Sequence, residues 1–546
     1  MEKKLSQLIK NIQILSIKNA EDDQTVSSLV YDSRAVKPGS LFFAWPGTHI
    51  HGNTYIAGAI EKGAVAVVYQ DELPKEAVDA FEKAASNGKP VAAIQVESSR
   101  FVMAPISSAF YDNPSSKLGI IGVTGTEGKS STVSFIWQLL RLAGKKAGFF
   151  STVEYSLGGE ALANPEHQTT PEAPIVQEKL YQMVQNGCEY AVVESSSHGL
   201  SEKLNRLGNV LFDVVAMMNV THEHLEFHGT WEQYRFDKAN LFRAIEKHNH
   251  VKLINGQEIS IPSFGIVNLD DKSADYFAGV TTKQVFGYTT RGSSSVLSNV
   301  KQINIKNIES DISHVSFELD TLGKFTSPVA GAFNAYNITT AILAVAGILG
   351  INATDTKPML EKLIGIKGRM TPIDCGQPFE VIVDYAHTPS SFETIFPPIR
   401  NRCKGKMFCL FGSGGERDTQ KRPVQGAIAS KWCDVVFLAD EDPRGEVPEE
   451  LLEDIAAGCV DENGKALRRG TVGNGELAEN IENARLFIIP DRKKAIRECF
   501  KMAKKDDIIL LLGKSHENSI IYKDYTMPYD EISEAKSALK EMGFSL

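Results

Sequence analysis

Residues 119–132, GIIGVTGTEGKSST, constrain this chain more than any other stretch. An apolar run leads into a glycine-rich turn, and Lys129, Ser130, Ser131 and Thr132 then open a helical segment. Strand, glycine loop and helix start in that order make a phosphate cradle. Glycines let backbone N–H groups approach an anion, and a helix N-terminus adds favourable partial charge. Gly122, Gly125 and Gly128 are the expected loop glycines, with Thr126 among them. Lys129 can reach a terminal phosphate, and a hydroxyl of Ser130 or Ser131 can ligate Mg²⁺. The spacing is GxxGxxGKS rather than the Walker form, because position 123 is Val. Such a loop implies ATP and leaves open what ATP is spent on.

The chain has 546 residues, room for three to four domains on the usual length scale of about 150 residues each. Hydrophobic content of 42% and charged content of 23% are those of globular proteins. A net charge of −10 with no long Lys/Arg run disfavours a nucleic-acid partner. No apolar run reaches the ~18 residues of a membrane span, so no membrane insertion is expected. The start, MEKKLSQLIKNIQIL, has no signal-peptide core, and seven cysteines form no CxxC pair. A cytoplasmic location with reduced thiols is expected.

Three blocks follow one another. Residues 1–114 alternate apolar runs (SSLVYDSR, GSLFFAW, AVAVVYQ, VAAIQV) with helical stretches. The second block, 115–366, opens with the phosphate loop. It continues through KKAGFFST and EYAVVESSS, the helical segment WEQYRFDKANLFRAI, a strand-rich stretch around 280–330 and the apolar helix NAYNITTAILAVAGILG. The third, 367–546, carries FEVIVDYA, MFCLFG, DVVFLAD and DDIILLLG. This alternation predicts α/β domains with mainly parallel sheets in the second and third blocks.

Ligands of open parallel sheets gather at strand C-termini. Glu194, with Ser197 and His198 after it, closes the run YAVVE, where a carboxylate suits Mg²⁺. His222, His224 and His228 invite a zinc reading. Their H-x-H-x₃-H spacing lacks the combination of an i,i+4 pair and its adjacent glutamate found in a zinc protease helix, and ATP chemistry has no need of a soft-ligand site. Lys238 follows on a helix as a cation. In the third block, four predicted strands end in polar or glycine-rich loops, at Asp384–Pro389, Phe411–Asp418, Asp440–Arg444 and Gly513–Glu517. Four such loops on one sheet edge line a cleft. The glycines of 412–415 only partly match a dinucleotide fingerprint, with Arg417 where a third glycine would stand.

In order along the chain, DSR (32–34), GTHI (47–50), GVTGTEGKS, TTP (169–171), SSSHGL, NVTHEHLEFHG, Lys238, GAFNAYN (331–337), GRM (368–370), DYAHTP, FGSGGERD, EDPR and GKSHE resemble the Mur ligases of peptidoglycan synthesis. The resemblance implies three domains: an N-terminal α/β domain for the UDP end of the substrate, a central P-loop-type ATPase and a C-terminal Rossmann-like domain for the incoming amino acid. It implies ligation of a diamino acid to UDP-MurNAc-L-Ala-D-Glu by a monomer using ATP and one or two Mg²⁺ ions. It further implies that Ser33, Thr48, His49, Ile50, Thr169, Thr170, Ser197 and Arg206 bind the nucleotide-sugar substrate. Gly125, Thr126, Gly128, Lys129, Ser130, Ser131, Asn334, Asn337, Arg369, Asp384 and His387 fall on ATP positions. Lys129, Glu194, His198 and Lys238 fall on catalytic ones. Ser130, Glu194, His198 and a CO₂-derived carbamate on Lys238 are the implied metal ligands, and Arg417, Asp442, Arg444, Gly513 and Glu517 the amino-acid ligands. Closure of the C-terminal domain would protect an acyl phosphate from water.

Three positions depart from the family pattern: Glu127 replaces Asn in the phosphate loop, Ser515 replaces Gly in the closing motif, and Asp442 replaces Asn before Pro443-Arg444. Arg444 favours diaminopimelate, whose extra carboxylate suits a guanidinium fork. Asp442 favours the amine of lysine or ornithine, or else pairs with Arg444. A folylpolyglutamate synthetase-like ligase and a non-catalytic ATP-binding homologue are the alternative readings.

Overall fold

The computed structural model describes all residues except 22–23, 48–49, 166–167, 222–224, 312, 472–482 and 545–546. It divides into two compact units. The first holds Met1–Val220, Thr230–Asn304 and Thr339–Met359; the second holds Thr221–Gly229, Ile305–Ile338 and Leu360–Leu546.

In the first unit, the four apolar runs of the N-terminal block each form a strand. Together with Ser16–Lys18 they make a five-stranded sheet in the order Ser16–Lys18, Ala92–Gln95, Ala66–Tyr69, Ser40–Ala44, Ser28–Val30, parallel except for the first pair. Leu41, Phe43, Val68 and Ile94 pack on one face with Ile106 and Phe110. Phe42 and Val67 pack on the other with Ile56 and Phe81. Burial on both faces is why these strands read as continuous apolar runs.

The larger sheet of this unit positions the candidate site. Ala147–Phe150, Tyr190–Glu194, Gly119–Thr124, Val214–Met217, Phe264–Asn268, Val285–Thr289 and the start of Val300–Ser310 lie side by side, all parallel. The register sets Glu194 opposite Val123 and Met217 opposite Thr124. The phosphate loop therefore leaves an interior strand with a strand end on either side.

In the second unit, residues 305–310 pair antiparallel with Val315–Leu319, which pairs with Lys324–Ser327. A six-stranded sheet runs in the order Thr371–Ile373, Glu380–Asp384, Ile508–Leu512, Met407–Phe411, Val435–Leu438, Leu486–Ile488, parallel beyond the first pair. Asp384 stands opposite Leu512 and Phe411 opposite Leu438, so the four expected loops leave one edge. All seven cysteines are free and six are buried. Among the described residues no single helix is long and apolar enough to cross a membrane.

Candidate functional site

Gly122 departs from the expectation that it lies on the loop. It sits within the strand, where a Cβ would meet Leu241 Cδ1 at 2.6 Å and Phe212 Cδ1 at 2.8 Å, so its smallness serves packing. The turn begins at Gly125. Gly128, at φ +81°, precedes helix Lys129–Leu142 in a left-handed conformation costly for other residues. Asn219 clasps the turn: its Oδ1 accepts from Thr126 N (3.0 Å) and Glu127 N (2.8 Å). The first N–H groups of the helix lack intrahelical partners by geometry, which leaves them to an anion.

Around this loop stand the side chains expected there. Lys129 Nζ donates to Thr126 O (2.8 Å), and Lys238 Nζ donates to Gly125 O (2.6 Å). Lys238 is only 2% exposed, with Nζ 4.5 Å from the Tyr234 ring centre, and Tyr234 OH is 3.1 Å from Thr126 Oγ1. Ser130 Oγ donates to Glu194 Oε2 (2.9 Å). Thr152 fixes the same carboxylate with its N–H (2.8 Å) and hydroxyl (3.0 Å). A hydroxyl and a buried carboxylate in contact are hard oxygen donors suited to Mg²⁺. Ser131 is buried along the first helical turn, and His198 is half-buried in the short helix Ser197–Leu200 with buried Ser197.

A second network joins the Glu194 strand end to positions expected to bind the nucleotide sugar. Thr152 Oγ1 lies 3.0 Å from Thr169 Oγ1. Thr170 Oγ1 donates to Glu194 O (3.0 Å) and accepts from Ser196 N (3.1 Å). Arg206 Nη1 donates to Thr170 O (3.0 Å). Ser33 lies in the turn Ser33–Ala35, and Ile50 is exposed. Thr48 and His49 fall outside the described residues, as do His222 and His224 of the zinc reading.

In the second unit, Asp384 is buried at its strand end and accepts from Met370 N and Ala386 N, both at 2.8 Å. Burial raises its pKa, opposed by Arg369, whose guanidinium lies 4.5 Å from the Tyr385 ring centre. His387 and His516 both pack against Tyr385, at 4.6 and 4.7 Å between ring centres. Burial, with Arg369 and Lys514 nearby, lowers His516 to about 3, so its ring is neutral at physiological pH. Asn334 donates to Ala330 O (2.6 Å) and its Oδ1 accepts from Asn337 (2.8 Å).

Of the alternatives for Asp442, the pairing with Arg444 is not the one found. Asp442 Oδ1 accepts instead from Lys514 Nζ (2.8 Å) and Ile521 N (2.9 Å), and Lys514 also reaches Glu517 at 2.5 Å. Arg444 Nε is buried without a hydrogen-bond partner. The glycine cluster is explained by backbone packing. A Cβ on Gly412 would meet Ala439 O at 2.2 Å, and one on Gly415 would meet Pro443 O at 1.9 Å. The loops after the two strands therefore lie against each other, near Gly513, whose Cβ would meet Glu441 Oε2 at 2.6 Å. Arg417 is exposed beside them.

Asn219 and Lys514 lie inside the motifs NVTHEHLEFHG and GKSHE without a role assigned to them, and Thr152, Tyr234 and Glu172 lie outside any of the motifs. Asp213, His248 and His250 hold ligand-type atoms within 4.8 Å of one another, yet they form a closed network. Lys252 Nζ is 3.0 Å from Asp213 Oδ2, His250 Nδ1 is 2.9 Å from Asp213 Oδ1, and His248 Nδ1 accepts from His250 N (3.2 Å).

Family models match along the chain: the Mur ligase family catalytic domain over residues 25–111, the Mur ligase middle domain over 123–345 and the Mur ligase glutamate ligase domain over 368–515. A UDP-N-acetylmuramyl-tripeptide synthetase of Treponema denticola is 49% identical, covering 98% of each chain. A UDP-N-acetylmuramoyl-L-alanyl-D-glutamate–2,6-diaminopimelate ligase of Geobacillus kaustophilus is 33% identical over 95% of this chain and 96% of the relative. Among solved structures, a ligase of that same description aligns with a TM-score of 0.60 at 24% identity over 100% of both chains. A MurF ligase of Thermotoga maritima in complex with ADP aligns with a TM-score of 0.61 at 17% identity, covering 94% of this chain and 97% of that one. By sequence over nearly its whole length, and by fold, the chain belongs to the Mur ligase family of ATP-dependent peptide ligases.

Proposed function

We propose that this ligase joins a diamino acid to the D-Glu side-chain carboxylate of UDP-MurNAc-L-Ala-D-Glu, supplying a peptidoglycan precursor in the cytoplasm and so serving wall growth, cell shape and division. In this reading residues 1–114 take the UDP end, 115–366 the ATP and 367–546 the amino acid, in a monomer. The observation that carries it is the gathering of Lys129, Ser130, Glu194 and Lys238 on one phosphate loop, with Thr170 and Arg206 linked to the same Glu194 strand end. The names of full-length relatives at 33–49% identity support it.

Lys129 and the helix N-terminus offset charge on the γ-phosphoryl group as the substrate carboxylate attacks phosphorus. The C–O–P bond of an acyl phosphate forms and ADP leaves. The amine then attacks the activated carbonyl, and phosphate departs from the tetrahedral intermediate. Ser130, Glu194, His198 and a carbamylated Lys238 would hold Mg²⁺. Bound there, the metal supplies Lewis-acid screening of phosphate charge. A carbamate would keep one N–H, a donor that could still serve Gly125 O.

With Asp442 engaged by Lys514, its charge is largely met within the protein, while Arg444 keeps an unmatched Nε. That balance favours an amino acid with a distal carboxylate, diaminopimelate, over lysine or ornithine. The test is phosphate release with UDP-MurNAc-L-Ala-D-Glu, ATP and Mg²⁺ against each of the three amino acids. Release only in the presence of a diamino acid is expected, fastest with diaminopimelate. Release with none of them contradicts the ligase reading, and faster turnover with lysine or ornithine reassigns the amino acid alone.

A further inference from the structure

Glu172 is a buried carboxylate just after Thr169-Thr170-Pro171, at the N-terminal end of helix Ala173–Gln185. Its Oε1 lies 2.7 Å from Arg206 Nη2 and 2.5 Å from Arg100 Nη2. Arg100 comes from the N-terminal block, and its guanidinium sits 3.8 Å from the Trp45 ring centre. Trp45 packs in turn on Tyr31, with ring centres 5.9 Å apart. These two aromatic residues directly precede the segments 32–34 and 46–50, in which Ser33, Thr48, His49 and Ile50 are assigned to the nucleotide sugar.

One carboxylate does not neutralise two guanidinium groups, so a positive charge is left over. Arg100 registers this: burial and Arg206 lower its pKa, and only Glu172 raises it. The cluster is also not closed on itself. Arg100 Nε, Arg206 Nε and Glu172 Oε2 are buried without hydrogen-bond partners, and Arg206 is 9% exposed. Unmet buried donors and residual positive charge are what an anionic ligand needs from its host.

We propose that Glu172 is a positioning residue of the nucleotide-sugar subsite, holding Arg206 of the central block and Arg100 on Trp45 of the N-terminal block as one cationic bracket for an anionic nucleotide sugar. This rests on the assignment of Arg206 under the proposed function. Glu172 touches no reacting atom and acts by fixing two planar forks in place before substrate arrives.

Calorimetric titration of UDP-MurNAc-L-Ala-D-Glu into the full-length protein and its Glu172→Gln and Arg100→Met variants tests this, alongside ATP binding and thermal midpoints. Glu172→Gln is expected to weaken nucleotide-sugar binding about tenfold, the effect of one lost charge-assisted contact, with ATP affinity held within about twofold. In turnover, KM for the nucleotide sugar should rise while kcat holds. Arg100→Met should weaken the same binding, and the double variant should lose less than the two effects added. Unchanged nucleotide-sugar affinity in a folded Glu172→Gln protein overturns the inference, as does an equal loss of ATP affinity. If Glu172→Gln does not fold, unchanged affinity in Arg100→Met overturns it. Wild-type protein that does not bind the nucleotide sugar removes the proposed function and this inference together. Binding without turnover with any diamino acid removes the ligase reading and leaves the bracket standing.

Discussion

Lys238 is buried, and its Nζ donates to the carbonyl of Gly125 instead of reaching solvent. In the proposed function, a lysine held at the turn of the phosphate loop acts on what that loop binds. Lys238→Ala is expected to lower turnover by about 10²–10³, the usual cost of one preorganised charge-stabilising group, with the far-UV circular dichroism unchanged. Steady-state phosphate release measures it, and near wild-type turnover removes Lys238 from the mechanism. Ser515 is the other telling residue. It adopts φ +47°, a conformation suited to glycine, and its Oγ donates to Gly368 O. The hydroxyl offsets the strain. Ser515→Ala keeps the strain and loses the bond, so a destabilisation of about 1–2 kcal/mol is expected. Ser515→Gly should lie within about 1 kcal/mol of wild type, because relief and loss nearly cancel. Denaturant unfolding gives the order, and alanine as stable as glycine contradicts this account.

At the scale of strands and their loops, Asp440 is buried after Val435–Leu438, with Tyr522 OH donating to its Oδ2 at 2.9 Å. Burial raises its pKa to about 6. The folded state then holds a proton that the unfolded chain, near 3.8, has released, so this group's contribution to stability falls as pH rises from about 4 to 6. Asp440→Asn should flatten that limb of the stability–pH curve and raise stability at pH 7.5 by roughly 1–3 kcal/mol. An unchanged pH profile counts against the assignment. Elsewhere, Lys252 neutralises buried Asp213, whose Oδ2 also accepts from Ile120 N (2.9 Å) at the start of the phosphate-loop strand. Lys252→Met leaves that carboxylate without its cation and should cost about 3–5 kcal/mol, read as a lowered thermal midpoint.

The strands were legible because burial on both faces makes parallel strands continuously apolar, as YAVVE and DDIILLLG are. That Lys129, Ser130 and Glu194 gather at one loop was legible because a strand, a glycine turn and a helix start lie next to the end of the neighbouring strand. Gly122 was misread because a glycine that admits Leu241 and Phe212 looks in sequence like one that admits a phosphate. Asp442 was left open because its partner, Lys514, lies 72 residues away on another strand end. The roles of Asn219, which opens the motif NVTHEHLEFHG, and of Thr152 are hidden for the same reason: a polar residue's partner is set only when the sheet brings it to the loop.

For the whole molecule, the central claim is that ATP activates a carboxyl group, and an oxygen of that carboxyl must then leave with the phosphate. The first unit holds the phosphate loop, and the second holds the loops assigned to the amine that takes that oxygen's place. The decisive measurement is turnover with UDP-MurNAc-L-Ala-D-Glu carrying ¹⁸O in the D-Glu side-chain carboxylate, with the released phosphate analysed by mass. The account predicts one ¹⁸O atom in each phosphate formed from fully labelled substrate. Phosphate free of label during productive ligation contradicts it.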